Sequence, residues 1–516
     1  MSLAIGCFRT VALLTLLSFG LACQTATTWR VSKTTMDRRG LASSDRFVRA
    51  HLRDGSLVVL SRYGLEDGHL VGHGRKYDLQ RRLVARGSFT LTGEEIALLE
   101  SADLDLIQRS TAGAIVGGVL LGLVIITGLT AAIIAATGSC PTFYRDGVEG
   151  PVAEAFSHAM ARPFAHRDID AIGPFEGESF ELTMRNEFPE THYVQDLKLA
   201  SALIPSGFDR VRRVENGSAI AVRELGGPTL CFGLGQDCAP ALAQADRFEA
   251  SVPADPEDLA ASAQVELDFG GVRLTPDKRY GLALTGHRSL MGTWMLYRMF
   301  QLLGDEAGHF MARLEREPAL VARVFRFGRA MGALEVFIET PDGWHSVGDF
   351  REVGPMAADT QLLPLPEGLS GEALAVRLEM ARGFFVLDAV QLVELGPEVE
   401  LEWSAPSVVE AKGLDAAQAA AALRDPERPL ITLGGQSLRL AFALEGGRRE
   451  LFLDATGFYH EWIRPDWADN RAQDLEAFER YLDRPMAAFR DFAPVYKHME
   501  PWLEDAFWAG TIRAPL

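Results

Sequence analysis

Chemistry-bearing motifs are what this sequence most lacks. There is no G-x-S-x-G turn, no H-E-x-x-H helix, no G-x-x-x-x-G-K-[ST] loop and no G-x-G-x-x-G after a strand. Their absence removes the usual signatures of serine hydrolases, zinc proteases, nucleotide hydrolases and dinucleotide enzymes. Cysteine is scarce, with five in 516 residues, too few for a scaffold built from disulfides. Positive charge is in deficit: 51 Lys/Arg stand against 70 Asp/Glu, a formal charge of −19. Phosphate binding rests on clustered basic residues, so nucleic acid is not an expected partner. Long polar linkers and internal repeats are also missing. What remains is material for two to four domains with substantial cores, at 47% hydrophobic and 23% charged residues.

Charge is absent altogether from two apolar stretches. Val11 to Cys23 follows a lone Arg9 and ends in small residues before a cysteine, the n-region, h-region and cleavage-site order of an export signal. Ala22 then Cys23 resembles the cleavage site of bacterial lipoproteins, whose cysteine becomes the acylated first residue. The resemblance implies lipidation at Cys23, with plain cleavage nearby and a retained anchor as alternatives. The second stretch, Thr111 to Cys140, has no charge between Arg109 and Arg145 and exceeds the roughly 20 residues a helix needs to cross hydrocarbon. Gly113, Gly117, Gly118 and Gly122 form overlapping GxxxG spacings that let backbones approach closely in lipid. A transmembrane helix over 111–138 is expected, in contact with membrane lipid and packed on a partner helix or its own copy in a homo-oligomer. A buried Gly/Ala-rich core helix is the plainer alternative, opposed by glycine's cost of about 1 kcal/mol per position relative to alanine. Between the two stretches, residues 29–110 hold 14 Lys/Arg against 11 Asp/Glu, so the acidic excess belongs to the chain after the second.

The expected organisation is mainly β with helical insertions. After the signal (1–23) and a tether (24–43), residues 44–110 alternate apolar and polar side chains between Asp-Gly turns. This pattern predicts a small barrel-like module of five or six antiparallel strands. Beyond the membrane helix, a β-rich domain (139–285) leads to a helical segment (286–318), where Leu290, Trp294 and Tyr297 recur at helical spacing. Period two then returns over 319–400: Leu334, Val336, Ile338 and Leu374, Val376, Leu378 predict strands with one buried face. The run resembles the jelly-roll sandwiches of galactose-binding-like modules. Residues 401–516 read as strands followed by a helical tail rich in aromatics, with Trp462, Trp467, Trp502 and Trp508; core filling is their ordinary use.

Three elements carry a wider resemblance. They are Ser139, Cys140, Pro141, Tyr144, Asp146 and Gly147; then Asn186, Glu187, Glu190, Thr191, His192, Tyr193 and Val194; then the aromatic G-F-Y-H-E-W run from Gly457 to Trp462. In that order they resemble an uncharacterised family of bacterial envelope proteins marked by SCP-x-x-Y-x-DG, N-E-x-x-E-T-H-Y-[IV] and G-[FY]-Y-x-E-W. The resemblance implies an envelope address, outer membrane or periplasm-facing, and a β-rich body. It brings no catalytic residues.

Side chains with chemistry to offer are therefore weighed one by one. His69 and His73 are four apart in a strand-and-turn region, where metal spacing of that kind would need a helix; no metal or cofactor is expected. His158, His166, Asp168 and Asp170 form a denser group, and Glu187 and Glu190 flank a strand end beside Arg185 and His192. Carboxylates converging on a cleft would serve glycan hydrolysis, while a structural ion-pair network is the plainer reading. His460 and Glu461 lie in the aromatic element, with Arg464 where a second zinc histidine would be needed. Cys231 and Cys238 close a short glycine-rich loop and are expected to form a disulfide. Trp344, after the turn containing Asp342 and Gly343, is the candidate stacking face for a glycan. The expected role is non-enzymatic binding or scaffolding at the cell envelope, with a glycan hydrolase and a subunit of an envelope assembly as alternatives.

Overall fold

The computed structural model describes residues 26–33, 48–52, 56–78, 83–93, 95–107, 140–214, 217–234, 238–315, 317–350, 354–425, 428–462 and 474–509. Cys23, the 111–138 segment and its glycines Gly113, Gly117, Gly118 and Gly122 lie outside the described residues. Among the described residues no helix is long and apolar enough to cross a membrane.

The front module is one antiparallel sheet of six strands. In spatial order these are Ala26–Lys33, Ile96–Ile107, Val48–Leu52, Leu57–Glu66, His69–Tyr77 and Leu83–Leu91. Its turns behave as the Asp-Gly pairs require: Asp67 and Gly68 both take positive φ, 47° and 79°, which suits the right-handed twist of a two-residue hairpin. Every second residue then faces inward, and Val48, Ala50, Val58, Leu60 and Leu70 are buried together. The barrel-like expectation is not met by the described pairings. Among the described residues the sheet runs open from one edge strand to the other, and its first strand lies in the stretch read as a tether.

Four further sheets make the body. Thr142–Tyr144, Ala153–Glu154, Ser179–Arg185, Ser407–Lys412 and Ser437–Ala443 form one; His166–Glu176, Glu190–Leu203, Glu402–Ser404, Leu430–Leu433 and Arg448–Glu461 form its partner. Their inward side chains, among them Phe180, Leu182, Leu440, Leu199 and Leu453, belong to the same buried core. The second pair of sheets comes from the chain between. One contains Arg210–Arg213, Ala219–Gly226, Tyr280–Arg288, Asp359–Pro364 and Phe385–Val399; the other contains Leu230–Phe232, Ser262–Asp268, Leu334–Thr340, Gly343–Phe350 and Ala375–Ala381. The strand pairing thus joins segments that a sequential division at 285, 319 and 400 sets apart. The second sandwich is inserted between the two halves of the first.

The expected strand faces appear as read: Leu334, Val336, Ile338, Val376 and Leu378 are buried. Helices Met291–Leu303, Ala307–Leu314 and Pro318–Arg329 interrupt the second sandwich. The first of them ends at Gly304, whose φ of 56° suits a residue without a Cβ. The tail helices Leu475–Asp483 and Pro485–Met499 pack on this insert through rings: Trp294 meets Phe492 and Tyr496 with centroids 5.9 and 5.2 Å apart, and Phe310 meets Phe478 at 5.0 Å. Of the tail tryptophans read as core, Trp462 is wholly buried, Trp508 is half-buried and Trp502 is exposed, while Trp467 lies outside the described residues.

Candidate functional site

The two later motif elements, far apart in sequence, are neighbours in space. Glu190–Leu203 and Arg448–Glu461 pair antiparallel, with Glu190 opposite Glu461 and His192 opposite Tyr459. Alternation along a strand puts these four side chains on one face. His192 Nε2 lies 2.6 Å from Glu190 Oε1, and Tyr297 Oη donates to Glu461 Oε1 at 2.6 Å. On neighbouring positions Trp462 Nε1 donates to Thr191 Oγ1 at 3.0 Å, and His460 Nε2 meets Glu315 Oε1 at 3.0 Å. Asn186 ties the strand entrance, its Nδ2 donating to the carbonyls of Glu190 and Thr432. Gly457 is required where it stands, because a Cβ there would meet the Tyr193 carbonyl and the Phe156 ring. Glu190 and His192 are 0% exposed and Glu461 is 1% exposed. Burial pushes His192 down to about 3, so its neutral ring donates Nε2–H to the Glu190 carboxylate. This clasp is closed to solvent.

The first motif element feeds a second buried network. Cys140 Sγ donates to Glu154 Oε2 at 3.2 Å, and the Met356 N–H donates to Glu154 Oε1 at 3.1 Å. The Glu154 N–H donates to Asp170 at 2.9 Å, the Phe156 N–H to Asp168 at 2.8 Å, and the Ala171 N–H to Asp359 at 2.8 Å. Asp168 and Asp170 belong to the first sandwich and Asp359 to the second, so these carboxylates sit where the two meet. Burial raises Glu154 to about 7. It also raises Asp170 and Asp359, and Asp170 is pushed further by the neighbouring carboxylates Asp168, Asp359 and Glu154.

The residues singled out as a prospective acid–base group fall into separate networks. Glu190 and His192 belong to the clasp, and Asp168 and Asp170 to the carboxylates between the sandwiches. His158 hydrogen-bonds Arg288, and His166 Nδ1 meets the Phe164 carbonyl at 3.1 Å. Glu187 accepts from Thr142 Oγ1 at 2.9 Å and from Tyr144 Oη. Glu154, Asp359, Tyr297 and Glu315 were not legible as partners, since nothing in their local spacing marks them. His69 and His73 lie along one strand, roughly 13 Å apart at about 3.3 Å per residue, too far to share an ion. Among the described residues no group of His, Cys, Asp and Glu is arranged to hold a metal.

Cys231 and Cys238 are disulfide-bonded, with Cα atoms 5.1 Å apart, and Cys140 is a buried thiol outside that bond. Trp344 is half-buried on the hairpin of the second sandwich. One face of its ring is taken, because the Arg377 guanidinium stacks on it 4.1 Å from the centroid and pairs with Glu266 at 2.7 Å. Asp342 is exposed in the adjoining turn, its N–H donating to Thr340 Oγ1.

No family model and no curated protein matches the chain. Among solved structures, a family 86 glycoside hydrolase in complex with neoagarooctaose aligns at 7% identity and TM-score 0.18, over 44% of this chain and 33% of that one. A β-porphyranase of the same family from the human gut bacterium Bacteroides plebeius aligns at 8% identity and TM-score 0.18, over 46% and 37%. A carbohydrate-binding module, CBM4, aligns at 12% identity and TM-score 0.16, over 34% of this chain and 93% of that one. The chain spans about a third of the length of the hydrolases it aligns with. These TM-scores are too low to indicate a shared fold.

Proposed function

We propose that this protein is a non-enzymatic bacterial cell-envelope lipoprotein, acylated at Cys23 and held by a helix over 111–138, whose β-sandwich body binds or scaffolds glycan. The observation that supports this reading is the burial of Glu190, His192 and Glu461, all at 0–1% exposure. Hydrolysis of a glycosidic bond needs two carboxyl groups open to sugar and water, and here the conspicuous carboxylates are committed to one another's neighbours inside the core. Side chains suited to sugar lie nearer the surface instead: Trp403 is exposed, and Trp344 is half-buried with Arg377 on one side of its ring. The acidic balance favours a neutral or cationic glycan over any polyphosphate.

An array of glycans probed with the full chain displayed multivalently tests the reading directly, with Trp344→Ala for comparison. Aromatic stacking contributes on the order of 1 kcal/mol, about a fivefold change per site, and multivalent display amplifies it. The expected result is binding that weakens in Trp344→Ala. Absence of binding to every glycan would leave a purely architectural protein.

A further inference from the structure

A cleft of about 360 Å³ opens on the outer face of the first sandwich, lined by residues of the first motif element and of strands Ser179–Arg185 and Ser437–Ala443. Its volume lies within the range of small-molecule sites, about 300–1,000 Å³. Tyr144, Thr183 and Arg439 stand side by side in one cross-strand row, so the floor at Thr183 is flanked by a ring and a guanidinium across roughly 10 Å of sheet. The walls are braced. Tyr144 Oη donates to Glu187 while the Arg185 guanidinium lies 4.2 Å from the Tyr144 centroid. Arg145 spans the Phe175 and Phe180 rings, 5.4 Å from each. Arg439 is held between Glu181 at 3.9 Å and Glu410 at 3.4 Å. Held side chains lose little freedom when a ligand arrives.

We infer that this cleft is a second sugar subsite, separate from the Trp344 face, for one uncharged pyranose ring. The inference rests on the glycan reading above and goes beyond it in placing a site on the other sandwich. Two guanidinium groups, Arg145 and Arg439, supply donors only, while Asp146 and Glu181 supply acceptors only. A ring of hydroxyls, each both donor and acceptor, satisfies both sets at once. An anion would meet Asp146 and Glu181 as well as the arginines, and a cation would meet Arg145 and Arg439 as well as the carboxylates, so neither gains net attraction to offset its lost hydration. The apolar face of a sugar ring also matches the half-buried rings of Tyr144 and Phe175 in the lining. The two subsites on one chain would then hold a single glycan bivalently.

Ligand-observed NMR on the full chain, with D-glucose, D-galactose and N-acetyl-D-glucosamine as probes, tests the cleft. D-glucuronate and D-glucosamine serve as charged counterparts. At least one neutral sugar should bind with a millimolar Kd, and its charged counterparts at least ~10-fold more weakly. Thr183→Tyr fills the floor with a strand-compatible side chain and should abolish that binding; Asp146→Ala, on an exposed residue, should weaken it if Thr183→Tyr does not fold. Trp344→Ala should leave the monosaccharide signal in place. Monosaccharide binding that survives both cleft substitutions, or that favours a charged sugar, overturns the proposal. Array binding lost in Trp344→Ala with no monosaccharide bound at the cleft overturns it while sparing the glycan reading; no binding to any glycan or sugar overturns both.

Discussion

In the clasp of the first sandwich, Glu190 meets the ring of His192 and Glu461 meets the hydroxyl of Tyr297. Between the sandwiches, Glu154, Asp168, Asp170 and Asp359 are met by backbone N–H groups, a thiol and one another's charge. Both networks are buried, yet they handle desolvation in different ways. In the clasp a side chain stands at hydrogen-bond distance from each carboxyl group, and the histidine is held neutral. Where carboxylates cluster, burial and mutual repulsion favour the protonated form. The first arrangement acts as a lock within one sandwich. The second makes the contact between sandwiches sensitive to proton concentration.

Breaking the clasp should have the largest effect. Glu190→Ala leaves the neutral His192 ring N–H buried without its acceptor, which costs about 1–3 kcal/mol, and the cavity adds a comparable amount. Urea unfolding at neutral pH measures it; a loss below about 1 kcal/mol would mean that the clasp is not a lock. The carboxylate network should differ in sign with pH. Glu154 is raised from 4.5 to about 7, so the folded state keeps a proton that the unfolded state has released. Its contribution is therefore fully present below about pH 4.5 and is lost as pH rises through about 7, by roughly 2–4 kcal/mol. Glu154→Gln should remove that slope, read as the difference between wild-type and variant unfolding free energies from pH 4.5 to 8. A difference that stays constant across the range would place Glu154 on the same footing as the clasp carboxylates. The smallest effect is expected for Asp170→Asn. The amide keeps an acceptor for the Glu154 N–H and cannot ionise, while its extra N–H needs a partner, so the two effects offset and stability at pH 8 should change by less than about 1 kcal/mol. A loss as large as that of Glu190→Ala would erase the distinction between the networks.

Much of the local structure was legible because it depends on near neighbours. Alternation at Leu334, Val336 and Ile338 specifies a half-buried strand wherever that strand ends up, and Asp67-Gly68 specifies a tight turn because positive φ is cheap there. Trp294 and Tyr297 at helical spacing marked a buried helix for the same reason. The candidate site was legible only in its parts. The motifs containing Glu190 and Glu461 were visible separately, but nothing in either one says that they pair, and the partners Tyr297, Glu154 and Asp359 carry no local signal.

The sequence by itself determined the β-rich character, the strand faces, the helical and aromatic tail, and the acidic balance that disfavours nucleic acid. These follow from periodicity and composition, which are properties of short windows. Only the tertiary structure decided that one sandwich is inserted into another, that Glu190 stands opposite Glu461 from more than half the chain away, and that His158, Asp168 and His192 part company instead of meeting in a cleft. Long-range strand pairing is set by which buried surfaces fit together, and a carboxylate's role follows from the surroundings that pairing creates: open to water it is an acid or base, enclosed beside donors it is a structural fastener.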